Sequence, residues 1–507
     1  MAGQSLRDAL RQAPIGVQNR EFRLRPDSIA LLSIITRVLC GPRHDVRPVG
    51  RAVRSGRAVV AHLCSPATLE ENTVSDGTRK KDLLKRRTVL KGSLGVGAAL
   101  AAPTIFSRKA SAQTEKVLKI VHWKHFVPAY DTYFSGFAKE FGEKHKCKVE
   151  VDFVATPDLP TAIAADISRG GGHDIFHLNG TGAWLYDQVE VDVTDVANRL
   201  GKEFGGWSPG SEDIAVVKGK WLAIPHWYIR YPWIVNRAYL NEVKEDYNNK
   251  TTYDDIIRMG AKLKKAGHPI GIPFSQTPDA NDDLFPVMVA YKAYLFDKQG
   301  NISFARKEIV EVLKWGSSLF KDCMTDEVLS WDDSSNNRFI ASGKGSMICN
   351  PISAYRTAAK DNPDVYKNLE IQPPPLGPAG RVGGARTMSY GIYKFSQVQD
   401  LAKEFLYAMN AAGLQGMEAS TGYNHPFLKA FLKKPMPVIG SEPKLVVEQD
   451  FNDWVKFIGY PGPMTKTATS MYAKFIIPTM FAEVANGGKS PRAAMDDAEK
   501  KLRAVAG

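Results

Sequence analysis

Between residues 118 and 178 the apolar pattern changes period four times, and that alternation restricts the fold more than any single motif. Leu118-Lys-Ile-Val-His-Trp123 is a short β-type run. Phe134, Phe137 and Phe141 then recur at spacings of three and four, the stripe of one helical face. Val149, Val151 and Phe153 alternate, as on a half-covered strand. Ile163 and Ile167 predict a second helix that ends at Gly170-Gly171-Gly172, and Asp174-Ile-Phe-His-Leu178 reads as a third strand. Strand–helix–strand–helix–strand is the order of a parallel sheet with helices on its faces. Ligands of such sheets lie beyond the carboxyl ends of the strands, here Trp123-Lys124-His125 and Asn179-Gly180. Trp123 there is either a stacking face or a core ring. Asn179 either meets a hydroxyl or shapes the turn before Gly180.

The densest aromatic stretch, residues 221–240, holds three tryptophans and three tyrosines. It reads as two short apolar β segments with a proline-punctuated joint at Ile224-Pro225 and Tyr231-Pro232. Such rings offer large flat faces at low entropic cost, with a polar edge on Tyr and Trp. Any single ring suits a core. The cluster is expected to join two lobes and to line a cleft.

Charge separates the chain into two parts. The whole carries +13, but residues 1–112 hold 20 Lys/Arg and 8 Asp/Glu, which leaves 47 and 46 for the rest. The near-neutral body has no electrostatic footprint for nucleic acid. Within the leader, Lys85-Arg86-Arg87-Thr88 precedes a Gly/Ala-rich apolar run over 92–106 and then Ala110-Ser111-Ala112. That is a charged region, an apolar region too short to span a bilayer, and a small-residue cleavage site. It resembles a twin-arginine (Tat) export signal at 85–112, with Arg86 and Arg87 as its pair and Ala110 and Ala112 as its cleavage residues. Valine stands where that motif prefers phenylalanine. Residues 1–112 are expected to be absent from the working protein, and the stretch up to about 80 is longer than Tat leaders usually are. Three cysteines remain, Cys147, Cys323 and Cys349, with no Cys/His spacing for zinc, and no cofactor is expected.

Further along, Thr252-x-x-Asp255 predicts a capped helix. Ser396 is the expected N-cap and Gly413 the C-cap of a helix carrying Leu401, Phe405 and Met409. Ser490-Pro491 opens a last amphipathic helix. The adjacent acids Asp254-Asp255, Asp282-Asp283 and Asp332-Asp333 read as solvated loops or helix starts.

In order and spacing these features resemble family 1 of the extracellular solute-binding proteins of ABC importers, the sugar type. The resemblance covers 116–507. It rests on Trp123, Phe137-x-Lys-Glu-Phe141, Gly219-Lys-Trp-Leu-Ala-Ile-Pro225, the Tyr-Pro-Trp-Ile-Val-Asn run at 231–236, and Thr252-Tyr-Asp-Asp-Ile256. Further along it rests on Phe339-x-x-Gly-Lys-Gly-Ser-Met347, the proline-rich segment 373–380, Gly391-Ile-Tyr-Lys-Phe-Ser396 and Lys489-Ser-Pro491. It implies an α/β, two-lobe periplasmic-binding-protein-like fold of type II, with parallel or mixed sheets and a hinge. Lobe one would be 116–226 plus 384–430, and lobe two 227–383 plus 431–507. By the same resemblance the cleft would use Trp123, His125, Asn179, Trp227, Tyr228, Asn350, Tyr355, Arg386, Tyr423 and Tyr472. Rings would stack on a sugar and the amides and Arg386 would meet its hydroxyls. The implied protein is a periplasmic, non-enzymatic monomer whose partners are a small solute, an inner-membrane ABC permease and, during export, the Tat translocase.

Other readings remain at this level. His125, Arg230 and Arg386 leave room for an organic acid, and a polyamine or a chemoreceptor role fits the same family. A Tat-exported hydrolase or oxidoreductase is the alternative from another class. Against it, the mature chain lacks GxGxxG after a strand, GxxxxGK[ST], HExxH and GxSxG.

Overall fold

The computed structural model describes residues 116–506. Arg86, Arg87, Ala110 and Ala112 lie outside the described residues.

The expected alternation forms the first layer. Strand β1 (Lys116–Trp123), helix α1 (Pro128–His145), β2 (Cys147–Val154), α2 (Leu159–Arg169) and β3 (Ile175–Asn179) follow in order. β1 pairs in parallel with β2 on one side and β3 on the other. α2 stops at Gly170, whose φ of +61° caps it in the left-handed region. Three later strands complete the sheet: β4 (Ala223–Tyr231), β9 (Gly384–Ile392) and β10 (His425–Pro426). The spatial order is β10-β4-β9-β3-β1-β2, with β9 antiparallel to both β3 and β4. The sheet is therefore mixed. Every residue of β4 and β9 is buried, because both faces are covered.

A second, four-stranded sheet has the order β8-β5-β7-β6, built from β5 (Trp233–Asn236), β6 (Ile270–Gly271), β7 (Met347–Cys349) and β8 (Leu369–Gln372). Its surrounding helices include α3 (Tyr253–Lys265), α4 (Pro278–Ala290), α5 (Arg306–Ser318), α6 (Ser335–Ala341) and α7 (Ser353–Asp361). Thr252 caps α3 with the reciprocal box read from sequence. The chain later adds α8 (Gln399–Ala411), α9 (Gly413–Ala419), α10 (Lys466–Ala473), α11 (Ile476–Ala485) and α12 (Pro491–Ala506). α11 packs on α4 and α5. Gly413 does not cap a helix as expected: it opens α9, and Ala412 follows α8. Ser396 is not the N-cap either. It hydrogen-bonds the Val398 N–H ahead of the helix and donates to Asp174.

Prolines decide where the chain changes sheets. Pro225 sits inside β4 opposite Ser389, where the β9 register shifts at a bulge, so the strand continues through it. The sheet change falls at Pro232, between β4 and β5. Trp227 and Tyr228 thus belong to the six-stranded sheet. The return is at Gly383, whose added Cβ would stand 2.5 Å from the Phe451 ring. Cys323 and Cys349 are separate buried thiols, within hydrogen-bond reach of the Ile257 and Tyr231 carbonyls.

Candidate functional site

The two sheets meet around one guanidinium. Arg386 projects from β9 on the face that also carries Met388 and, across the ladder, Trp227; Asn179 lies opposite Met388 on the other side. The first turns of α4, from the second sheet's layer, lie against it. Arg386 Nε donates to Asp282 Oδ2 at 2.6 Å and Nη2 to Asp279 Oδ1 at 2.6 Å, while Asp333 Oδ2 stands 4.0 Å from Nη1. All these groups but Asp333 are almost fully buried. The network extends both ways. Tyr231 donates to Asp279 at 2.8 Å, and Asn336 of α6 donates to the other Asp279 oxygen at 2.7 Å and to Asn350. Tyr472 of α10 donates to Asp282 at 3.1 Å, and its hydroxyl lies 2.6 Å from where a Cβ on Gly180 would stand. Gly180, at φ +70°, thereby lets the end of β3 touch α10.

Three carboxylates face one guanidinium, so charge is in excess. Burial pushes Asp282 up to about 6 despite Arg386, and burial with Asp279 alongside pushes Asp333 up to about 7. Such carboxyls accept or donate hydrogen bonds near neutral pH, and a planar carboxylate suits a pair of vicinal hydroxyls. Among the described residues no group of three His, Cys, Asp or Glu is placed to hold a metal ion.

The neighbouring part of the same face is aromatic. Trp227 packs against His122, His177, His226 and Tyr130, with ring centroids 6.1, 5.5, 4.5 and 5.2 Å away. Trp123 meets His125 at 4.8 Å and Phe126 edge-on at 5.4 Å. His125 in turn meets Tyr423 at 5.0 Å. Tyr423 lies within electrostatic reach of Arg386, Asp279 and Asp333 and hydrogen-bonds Ser353 of α7, which joins the aromatic group to the acidic one. Burial lowers His122 and His226 to about 3 and His125 to about 4. The imidazoles are neutral, and their partners fit: the Trp123 N–H donates to His177 Nδ1 at 3.1 Å, and Asn424 Oδ1 lies 3.0 Å from His125 Nε2.

Seven of the ten expected cleft residues, Trp123, His125, Asn179, Trp227, Arg386, Tyr423 and Tyr472, line this junction, and Asn350 joins it through Asn336. Trp123 and Trp227 are packed on all sides rather than open. Two residues lie elsewhere. Tyr228 points to the opposite face of β4, where its hydroxyl meets Asn452, and Tyr355 donates to Glu442 at 2.8 Å. Alternation along β4 explains the first: neighbours 227 and 228 cannot share a face. Sequence reasoning missed Asp279, Asp282, Asp333 and Asn336. The reading of adjacent acids as solvated held for the exposed Asp254 and failed for Asp282 and Asp283, both buried on α4. The signal available was the N-cap Thr277 with Pro278, which starts a helix whose remaining residues are nearly all apolar or small.

The model of the bacterial extracellular solute-binding proteins matches residues 128–415. The chain belongs to the bacterial extracellular solute-binding proteins. Solved structures of similar fold include maltose-bound MalE3 of T. maritima (16% identity, TM-score 0.64, 76% of this chain and 99% of that one). A sugar transporter protein of Arthrobacter chlorophenolicus with bound laminaribiose superposes with a TM-score of 0.68 at 15% identity, covering 77% and 99%. A solute-binding protein of Thermotoga lettingae with bound α-D-tagatose gives 0.66 at 16%, covering 78% and 100%. No curated protein matches this chain in sequence. These similarities show the two-lobe fold of the solute-binding proteins. Within it, the Arg386 network lies where the two sheets' layers meet.

Proposed function

We propose that this solute-binding protein is the exported receptor of an ABC importer, that it captures a carbohydrate between its two lobes, and that it hands the solute unchanged to an inner-membrane permease. The observation that carries the reading is the junction itself. Aromatic rings from β1, β4 and the 421–424 loop adjoin a group of acids, amides and one arginine, the combination that stacks on a sugar's C–H face and meets its hydroxyls. Support comes from the family and from sugar-bound proteins of the same fold. We assign Trp123, His125, Asn179, Trp227, Arg386, Tyr423, Tyr472 and Asn350 to the solute side, and add Asp279, Asp282, Asp333 and Asn336. The Asn179 amide is buried without a partner, a hydrogen-bonding position left for a hydroxyl.

In this reading lobe one is the unit around the six-stranded sheet and lobe two the unit around the four-stranded sheet. Closing on the solute is a population shift, and a near-complete switch needs the closed form favoured by about 5 kcal/mol. The leader directs Tat export to the periplasm, where the protein acts as a monomer.

The test is a thermal-shift and calorimetric screen with mono- and oligosaccharides, polyols, sugar acids and polyamines. A specific ligand at a hundred times its Kd adds about 2.7 kcal/mol of stability. A rise confined to carbohydrates, weakened by Asp279→Asn, supports the proposal, provided the solute is recovered chemically intact. A rise with polyamines alone, or conversion of the solute, overturns it. Replacing Arg86 and Arg87 by lysine is expected to retain the precursor in the cytoplasm.

A further inference from the structure

Opposite the Arg386 face, a second buried polar group occupies β4, outside the proposed solute site. Arg230 is 2% exposed. It donates through Nη1 to the Glu448 main-chain carbonyl, and through Nη2 to Asn452 Oδ1 at 2.7 Å and to the Tyr228 hydroxyl at 3.2 Å. Both acceptors beyond the strand belong to the 3-10 segment Pro443–Asp453. The same stretch continues into the return crossing. The Gly383 N–H donates to the Trp454 carbonyl at 2.9 Å, and Lys456 donates back to Gly383 at 3.2 Å.

The other end of the stretch is tied to the second sheet's layer. Glu442 accepts from Arg356 at 2.7 Å and from Tyr355 at 2.8 Å, both on α7. Lys444 donates to the carbonyls of Tyr366 and Lys367, each at 3.0 Å. Residues 442–456 therefore touch β4, the Gly383 crossing and α7 within fifteen positions. We propose that this stretch is a strap across the joint between the two sheets, and that Arg230 is the clamp that sets the resting interlobe equilibrium.

The clamp has two positions within reach. Arg230 Nη1 grips the Glu448 main chain, while the Glu448 carboxylate, buried and without any hydrogen-bond partner, stands 3.9 Å away. His425 Nε2 stands 3.7 Å from the same carboxylate, and His425 Nδ1 has no hydrogen-bond partner. Arg230 Nε is unpartnered as well. Buried groups left unmade in one arrangement and complementary to one another favour a second arrangement in which they pair. A small rotation of the segment relative to β4 exchanges the main-chain grip for a carboxylate grip. Movement of one sheet's layer against the other supplies that rotation.

The inference rests on the two-lobe fold and not on which solute is bound, so its test uses solute-free full-length protein. Spin labels at Lys139 and Lys307, both strongly exposed, report the interlobe distance; labels at Lys139 and Lys218 report within the first unit. Arg230→Lys keeps the charge but cannot reach three acceptors. It is expected to shift the interlobe populations by about fivefold or more and leave the 139–218 distance unchanged. Glu442→Gln and Asn452→Ala, which loosen opposite ends of the strap, are expected to do the same to a smaller extent and carry the test if Arg230→Lys does not fold. Folded variants with unchanged interlobe distributions would overturn the proposal, leaving the strap a static brace. A changed 139–218 distance would overturn it too, because the effect would then be internal to one unit.

Discussion

Around Trp227, four histidines are buried with no counter-charge. Around Arg386, further along the same face of β9 and β4, a guanidinium and two carboxylates are buried together, with the partly exposed Asp333 at their edge. The first region solves burial by neutrality: desolvation strips the proton and each imidazole acts as a neutral donor or acceptor. The second keeps its charges by pairing them, at a desolvation cost that only tight geometry offsets. The first is built wholly from one sheet and its helices. The second draws β4 and β9 from one sheet and α4, α6 and the 332–334 turn from the other layer. Charge is thus retained where two layers meet and discarded where one layer closes on itself.

The largest expected break of this contrast is Arg386→Met. It leaves Asp279 and Asp282 buried without their cation and should cost about 3–5 kcal/mol in urea unfolding at neutral pH. The next test uses acid. The lowered histidines stabilise the fold above the unfolded-state value of 6.5, and that stability is lost as pH falls from 6.5 towards 3. Each contributes a slope of roughly 1.4 kcal/mol per pH unit across that window, so urea midpoints should fall steeply below pH 6. His122→Phe should remove one such slope. The raised carboxyls act with the opposite sign: the folded state holds their protons longer, so stability falls as pH rises from 3.8 to about 6 for Asp282 and about 7 for Asp333. Asp333→Asn should therefore be more stable than wild type at pH 8, by about 1–2 kcal/mol, and equal to it at pH 3.5. The smallest effect is a control in neither region. Thr252→Ala removes the α3 capping box and should cost about 1 kcal/mol without altering the pH profile around 6.

Much of the first sheet is legible in the sequence alone. The period changes from Leu118 to Leu178 mark β1 to β3, and the Thr252 box marks α3, because local patterns of burial and capping are written in consecutive residues. The candidate site was readable only in part. Strand ends at Trp123 and Asn179 could be found by rule. Asp279 and Asp282 could not, since an acid near a helix start looks the same whether water or an arginine more than a hundred positions away receives it. That Tyr228 faces away from Trp227 is not read from aromatic density alone, because it follows from the two-residue alternation of β4.

By itself the sequence determined the α/β alternation, the near-neutral body behind a basic leader, and the membership of the solute-binding proteins that its ordered motifs implied. These follow from properties carried by neighbouring residues: period, charge and turn chemistry. Only the tertiary structure decided that the chain crosses between sheets at Pro232, that Arg386 is held by two carboxylates rather than left at the surface, and that Arg230 faces the other way. Each depends on which distant groups share one small volume, and burial energies and ion pairing arise from that proximity in space, not from order along the chain.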